Sequence, residues 1–144
     1  MRQNNNTAPF ASGSLNCDSS WLGKKIKTEK IVITGAAGLV GQNLVLLLRE
    51  SGYEQIVAID KHEKNLQTLL SLNPGIQILP ADLAEENSNW ENSFTGAACV
   101  VILQAQITGL DEAEFKRNNV LANERILSAC KTAQVPHIIQ ISSS

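Results

Sequence analysis

The stretch KIVITGAAGLVGQN, residues 30–43, constrains the fold more than any other part of this chain. A short β-branched run, Lys30 to Thr34, gives way at once to Gly35, Gly38 and Gly41 and then to apolar residues at helical spacing. Such a pattern reads as a strand turning sharply into a helix. Gly35 permits the turn, Gly41 lets the helix pack closely on the strand, and Gly38, lacking a Cβ, lets a phosphate group approach the backbone. A helix starting here offers the N–H groups of Ala37, Leu39 and Val40 and a partial positive charge to an anion. A glycine turn with no ligand would use the same residues. A P-loop is excluded, because no Gly-Lys-Ser/Thr follows.

The rest of the body alternates in the same way. QIVAID (55–60), IQILP (76–80), ACVVILQA (98–105) and HIIQIS (137–142) read as further strands. KNLQTLLSL (64–72), a short segment within 85–95 and a long one over 112–133 read as helices. In the first helix, Val40, Leu44, Val45, Leu47 and Leu48 are the predicted apolar positions, and Gly52 is the predicted stop. Near-continuous Val/Ile runs imply strands covered on both faces. The fold class is therefore α/β: a Rossmann-type doubly wound parallel sheet of five strands in the order 3-2-1-4-5.

Length and composition agree with one domain. The chain has 144 residues, is 43% apolar and carries a net charge of -2, which argues against a nucleic-acid-binding surface. No apolar run reaches the ~18 residues of a membrane span. Residues 1–29 are polar and aperiodic and read as a disordered or loosely docked extension preceding a domain at 30–144; a transit segment would want more arginine. The lysines of GKKIKTEK read as a solvated approach to the first strand, or as an anion site. Cys17, Cys99 and Cys130 lack metal-ligand spacing, and an odd count favours a reducing cytoplasm.

Two polar residues have roles that follow from position. Asp60 ends the second strand, about twenty residues beyond the glycines, where a carboxylate can accept both adenosine ribose hydroxyls and repel a 2′-phosphate. Lys61 and Lys64 soften that repulsion. Asp60 could equally cap the next helix. Asn119 shares a helical stripe with Ala122, Ile126, Ala129 and Ala133, so if the stripe is buried its amide must find partners; if the stripe frays there, Asn119 is a solvated residue.

TGAAGLVG, with its Gly-x-x-Gly-x-x-Gly spacing, resembles the extended short-chain dehydrogenase/reductase family of NAD-dependent nucleotide-sugar epimerases and dehydratases. The resemblance runs from about residue 30 to the end. It implies that Asp82 and Leu83 of ADL contact adenine, although Asp82 could simply cap the following turn. It implies that VVILQAQ places Gln104, Ala105 and Gln106 beside the nicotinamide ribose. Leu103 and Gln104 depart from the usual His-Leu, and Gln106 from a small residue, so the pocket is altered there. Asn119 would stabilise the active-site backbone, Ser142 would line the nicotinamide end, and Ser144 would be the catalytic serine, or else a plain polar strand end.

The family's Tyr-x-x-x-Lys dyad has no counterpart here. The single tyrosine, Tyr53, has Val57 four residues on and follows the first helix, away from the strand ends. The chain thus reads as a truncated enzyme carrying the NAD-binding half, with NAD favoured over NADP. A small-molecule substrate, a nucleotide sugar, and a homodimer would belong to the full-length parent. The alternative is a stand-alone dinucleotide-binding or sensor module. No metal is implied.

Overall fold

The computed structural model describes residues 25–86, 88–106, 109 and 111–142. Cys17, Trp21, Leu22, Ser143 and Ser144 therefore lie outside the described residues.

The described strands are β1 (Lys30–Thr34), β2 (Ile56–Asp60), β3 (Gln77–Pro80), β4 (Ala97–Ile102) and β5 (His137–Gln140). They form one sheet in the order β3-β2-β1-β4-β5, with every neighbouring pair parallel. The helices between them are α1 (Leu39–Glu50), α2 (Glu63–Leu72), a 3-10 helix (Asn89–Phe94), and a long run composed of α3 (Glu112–Lys116), a π-helical turn (Arg117–Leu121) and α4 (Ala122–Thr132). β4 ends at Ile102 and β5 at Gln140, earlier than the apolar runs suggest. Residues 103–106 leave the sheet to line a cleft.

Side-chain alternation sends successive residues of each central strand to opposite faces. Val32, Val57, Ile59, Val100 and Ile102 pack with Trp90, Phe94, Ala122, Ile126 and Ala129 on one face. Ile31, Ile33, Ile56, Ala58 and Val101 pack with Val45, Leu66 and Leu69 on the other. Two buried faces explain why β1, β2 and β4 carry unbroken apolar runs. β5 differs: all four residues are exposed, including Ile138 and Ile139.

α1 buries Gly41 and Val45 and half-buries Leu44 and Leu48. Val40 and Leu47, two further apolar positions of this helix, are 59% and 58% exposed. The buried stripe runs through Gly41 because the helix sits so close to β1 that its contact line passes over the glycine. That leaves Val40 and Leu47 to either side.

The helix ends are built alike. After α1, the Tyr53 N–H reaches Leu48 O and the Gly52 N–H reaches Arg49 O, with Gly52 at φ +96, a Schellman ending. After α4, Val135 N–H reaches Cys130 O and Gln134 N–H reaches Lys131 O, with Gln134 in the left-handed region at φ 54. Among the described residues no helix is long and apolar enough to cross a membrane.

Candidate functional site

The C-terminal ends of β1 to β4 converge on one cavity of about 590 Å³. Gly35, Ala37, Gly38, Asp60, Asp82, Leu83, Gln104, Ala105 and Gln106 all line it. These nine come from four separate sequence segments, and the sheet order brings them together. Asn119 acts on the cavity wall from behind. Leu39, Val40 and Gly41 belong to the first turn of α1 and are not among the lining residues; Leu39 and Val40 turn their side chains to solvent. Ser142 is exposed beyond β5 and is not among the lining residues.

The three glycines differ in what requires them. A Cβ on Gly35 would fall 2.5 Å from Gln104 N, and its φ of +70 disfavours any other residue. A Cβ on Gly41 would fall 2.6 Å from Ala36 Cα and from the Ala36 and Gly35 carbonyl oxygens. A Cβ on Gly38 would meet only Gly35 O at 3.4 Å, and its φ of -74 suits any residue. The fold thus demands Gly35 and Gly41 but not Gly38. Gly38 is the N-cap of α1, with no side-chain cap and no acidic residue in the first turn. An uncapped helix start leaves backbone N–H groups that can receive an anion.

The side chain of Asp60 is 9% exposed. Its Oδ2 accepts the Ala37 N–H at 3.0 Å, and its Oδ1 accepts the His62 N–H at 3.0 Å and lies 2.9 Å from His62 Nδ1. Asp60 therefore ties the glycine turn to the end of β2. It does not bond the first turn of α2, whose N-cap, His62, makes no side-chain cap.

Asp82 answers to two elements. Oδ1 accepts the Ala84 N–H at 2.9 Å, which caps the turn after β3; Oδ2 pairs with Arg117 Nη1 at 2.8 Å. Burial works to raise its pKa. The Ala84 N–H and the Arg117 guanidinium together outweigh that and hold the carboxyl below its ordinary range.

The π-helical turn aims three consecutive residues at the cleft. In an α-helix, neighbours point about 100° apart; the wider turn brings them closer to one direction. Arg117 reaches Asp82, and the Asn118 amide donates to Gln106 Oε1 at 2.6 Å. Asn119 grips the Gln106 backbone, accepting from its N–H at 2.8 Å and donating to its carbonyl at 3.0 Å. Asn119 is thus a half-buried residue with both amide groups satisfied, not a solvated one.

Gln104 does not extend into the cleft as a free side chain. It receives the Thr34 hydroxyl on Oε1 and donates to Asn123 Oδ1 at 2.8 Å. Thr34 is fully buried, and its hydroxyl divides its donation between Gln104 Oε1 and, at 3.5 Å, the Val101 carbonyl, as a buried hydroxyl requires.

Sequence reasoning missed His62 as a partner of Asp60, and Arg117 and Asn118 as cleft residues. A histidine two residues after a strand-ending aspartate is a local signal for the first. The π-helical turn leaves no comparable mark on the sequence. Cys99 and Cys130 are free thiols, half-buried and buried, and burial pushes both upward in pKa. Among the described residues no cluster of three His, Cys, Asp or Glu could hold a metal.

Solved structures share this architecture. MoeE5, solved in complex with UDP-glucose and NAD, matches at 31% identity and a TM-score of 0.67, over 80% of this chain and 36% of that one. WbmG of Bordetella bronchiseptica, solved with NAD and UDP, matches at 25% identity and a TM-score of 0.68, over 79% and 37%. A UDP-N-acetylglucosamine 4-epimerase from Methanobrevibacter ruminantium matches in fold at 23% identity and a TM-score of 0.69, over 83% and 39%. The chain spans a little over a third of the length of these solved chains. The sequence model of the NAD-dependent epimerase/dehydratase family matches residues 31–144, through every strand of the sheet, and the chain belongs to that family.

Proposed function

We propose that residues 30–144 are the NAD-binding domain of an epimerase- or dehydratase-type oxidoreductase that acts on a nucleotide sugar, and that residues 1–29 precede it as an extension. One observation carries the reading. Gly38 is a glycine that the protein's own packing does not require, at an uncapped helix start facing the cavity. The residues present fit the cofactor: the first turn of α1 would hold the pyrophosphate, Asp60 the adenosine ribose, and Asp82 with Leu83 the adenine end. NAD, when bound, supplies a hydride acceptor or donor. Asn119 holds the Gln106 backbone at the wall of the site, and Ser144 would position the reacting oxygen of the substrate. Both neighbours solved with NAD carry a UDP group, which supports the substrate class. Free thiols at Cys99 and Cys130 suit a cytoplasmic setting, and a homodimer belongs to the same proposal.

A second reading, a dinucleotide-holding module without chemistry, draws on Tyr53. Tyr53 precedes β2, at the N-terminal ends of the strands, while the cavity lies at their C-terminal ends. Coding sequence beyond Ser144 that continues into a Tyr-x-x-x-Lys motif would decide for the enzyme.

Calorimetric titration with NAD and NADP tests the site itself. Gly38→Val should abolish NAD binding while the circular dichroism spectrum is kept. Asp60→Ala should weaken NAD and reduce the preference over NADP. Equal NAD affinity in wild type and both variants would refute the site.

A further inference from the structure

We propose that His62 sets the choice between NAD and its 2′-phosphorylated form in this cavity, and makes that choice depend on pH. The inference rests on the dinucleotide site proposed above.

It starts from the crowding of Asp60. An ionised carboxylate only accepts hydrogen bonds. Asp60 already accepts two backbone N–H groups, from Ala37 and His62, and lies 2.9 Å from His62 Nδ1. Nδ1 is the ring nitrogen placed to donate to that carboxylate. The variable position of the ring is Nε2, an acceptor when the imidazole is neutral and a donor when it is charged. The carboxylate is 9% exposed and the imidazole 63% exposed. The ring and the carboxylate both line the cavity together with Lys61 and Asn65.

A 2′-hydroxyl and a 2′-phosphate make opposite demands on such a pair. The hydroxyl can donate to a neutral Nε2 or to Asp60. The phosphate brings oxygens that only accept and a charge of about -1.5 to -2 near neutrality. Facing a carboxylate and a neutral ring, it is repelled. Facing an imidazolium, it meets a donor and a neutralised pair. Histidine is the side-chain type that makes this change between pH 5 and 8.

The other charged groups near the ring come from each neighbouring element. Lys61 adjoins it, and Glu63 and Lys64 open α2. Across the cleft Asp82 is held by Arg117, and Glu114 of α3 also lines the cavity. Carboxylates, lysines and arginines keep their charge over that pH range as residue types, which leaves His62 as the switching group in the cavity lining.

The test is calorimetric titration of the purified chain and of His62→Gln with NAD and with NADP at pH 5.5 and pH 8. Glutamine can still donate to Asp60 but cannot become charged. The 2′-phosphate also titrates in this range, and the variant measures that contribution alone. For wild type, the ratio of the NADP to the NAD dissociation constant should rise at least tenfold more from pH 5.5 to 8 than it does for the variant. At pH 5.5 the variant should show the larger ratio. Titrations near pH 6.5 in buffers of different ionisation enthalpy should show proton uptake on NADP binding to wild type, and less with the variant. Equal pH profiles with intact NAD binding would overturn the role of His62 and leave the site standing. Failure of both dinucleotides to bind either protein would overturn the site and the inference together.

Discussion

Replacing Gly38 with aspartate should stabilise the fold and destroy the site in one step. Gly38 has φ -74 and ψ 170, an extended conformation open to any residue, and its Cβ would meet a single atom at 3.4 Å. It is an N-cap without a capping side chain, before a first turn with no acidic residue. Aspartate is a preferred N-cap, worth a few tenths of a kcal/mol over glycine. Its charge at the helix start adds about 0.3–1 kcal/mol. A gain of about 0.5–1 kcal/mol should appear as a melting temperature raised by a few degrees. The same carboxylate occupies the anion position and repels a pyrophosphate, so calorimetry should detect no NAD binding. Gly41→Ala and Gly35→Ala supply the contrast. At Gly41 three backbone atoms stand 2.6 Å from the new methyl, an overpacking that costs about 1–3 kcal/mol. Gly35 adds a left-handed backbone, worth about 1–2 kcal/mol more. Urea unfolding should therefore rank Gly38→Asp above wild type, then Gly41→Ala, then Gly35→Ala. If Gly38→Asp lost as much stability as Gly41→Ala, the fold would need that glycine, and the argument from a glycine without a packing role would fail. Wild-type NAD affinity in Gly38→Asp would place the anion elsewhere.

Three further outcomes follow from the geometry. Asp82 has a folded-state pKa below its ordinary value of 3.8, so it stabilises the fold above that value and loses the contribution as pH falls through the lower folded value. Asp82→Asn should cost about 0.5–1 kcal/mol at pH 7, with the gap closing below pH 3.8 in paired urea titrations; a gap independent of pH would refute the charge argument. Gln134 occupies the left-handed end of α4 at φ 54, so Gln134→Gly should raise stability by about 1 kcal/mol, and a loss in thermal unfolding would count against it. β5 lies at the edge of the sheet with Ile139 49% exposed, so the chain should self-associate at high concentration, and Ile139→Lys should shift sedimentation toward monomer.

The sheet was legible because its physics is local. Unbroken apolar runs in β1, β2 and β4 reported burial on two faces, and the glycines reported the turn. Gly52 was legible as a stop because the left-handed position is almost its own; the equivalent stop at Gln134 carries no such mark. The apolar spacing in α1 announced the helix but not its contact line, since periodicity counts apolar residues and cannot know that Gly41 marks the buried stripe and leaves Val40 and Leu47 exposed. The structure brings Asp60 and Asp82 to the cavity lining and Asn119 to the Gln106 backbone. Their partners, His62, Arg117 and Asn118, depend on a turn and on the phase of a π-helical segment, which side-chain type does not encode.

The least typical part of the sequence turns out to be the most internally consistent. Gln104 stands where the resembling family often has a different residue, and so does Gln106. Each is matched by an amide on the long helix: Gln104 by Asn123, Gln106 by Asn118, with Asn119 holding the Gln106 backbone. The buried Thr34 hydroxyl completes the set by donating to Gln104. A partly satisfied network of this kind would cost more than an apolar one, so these residues depend on one another. Removing Gln104 would leave the Thr34 hydroxyl with only the long contact to the Val101 carbonyl and leave Asn123 short of a donor. The loop from Leu103 to Gln106 is therefore fixed by the protein's own side chains. The cavity wall it forms is held by these side chains without a ligand's contribution, as the proposed dinucleotide site would need.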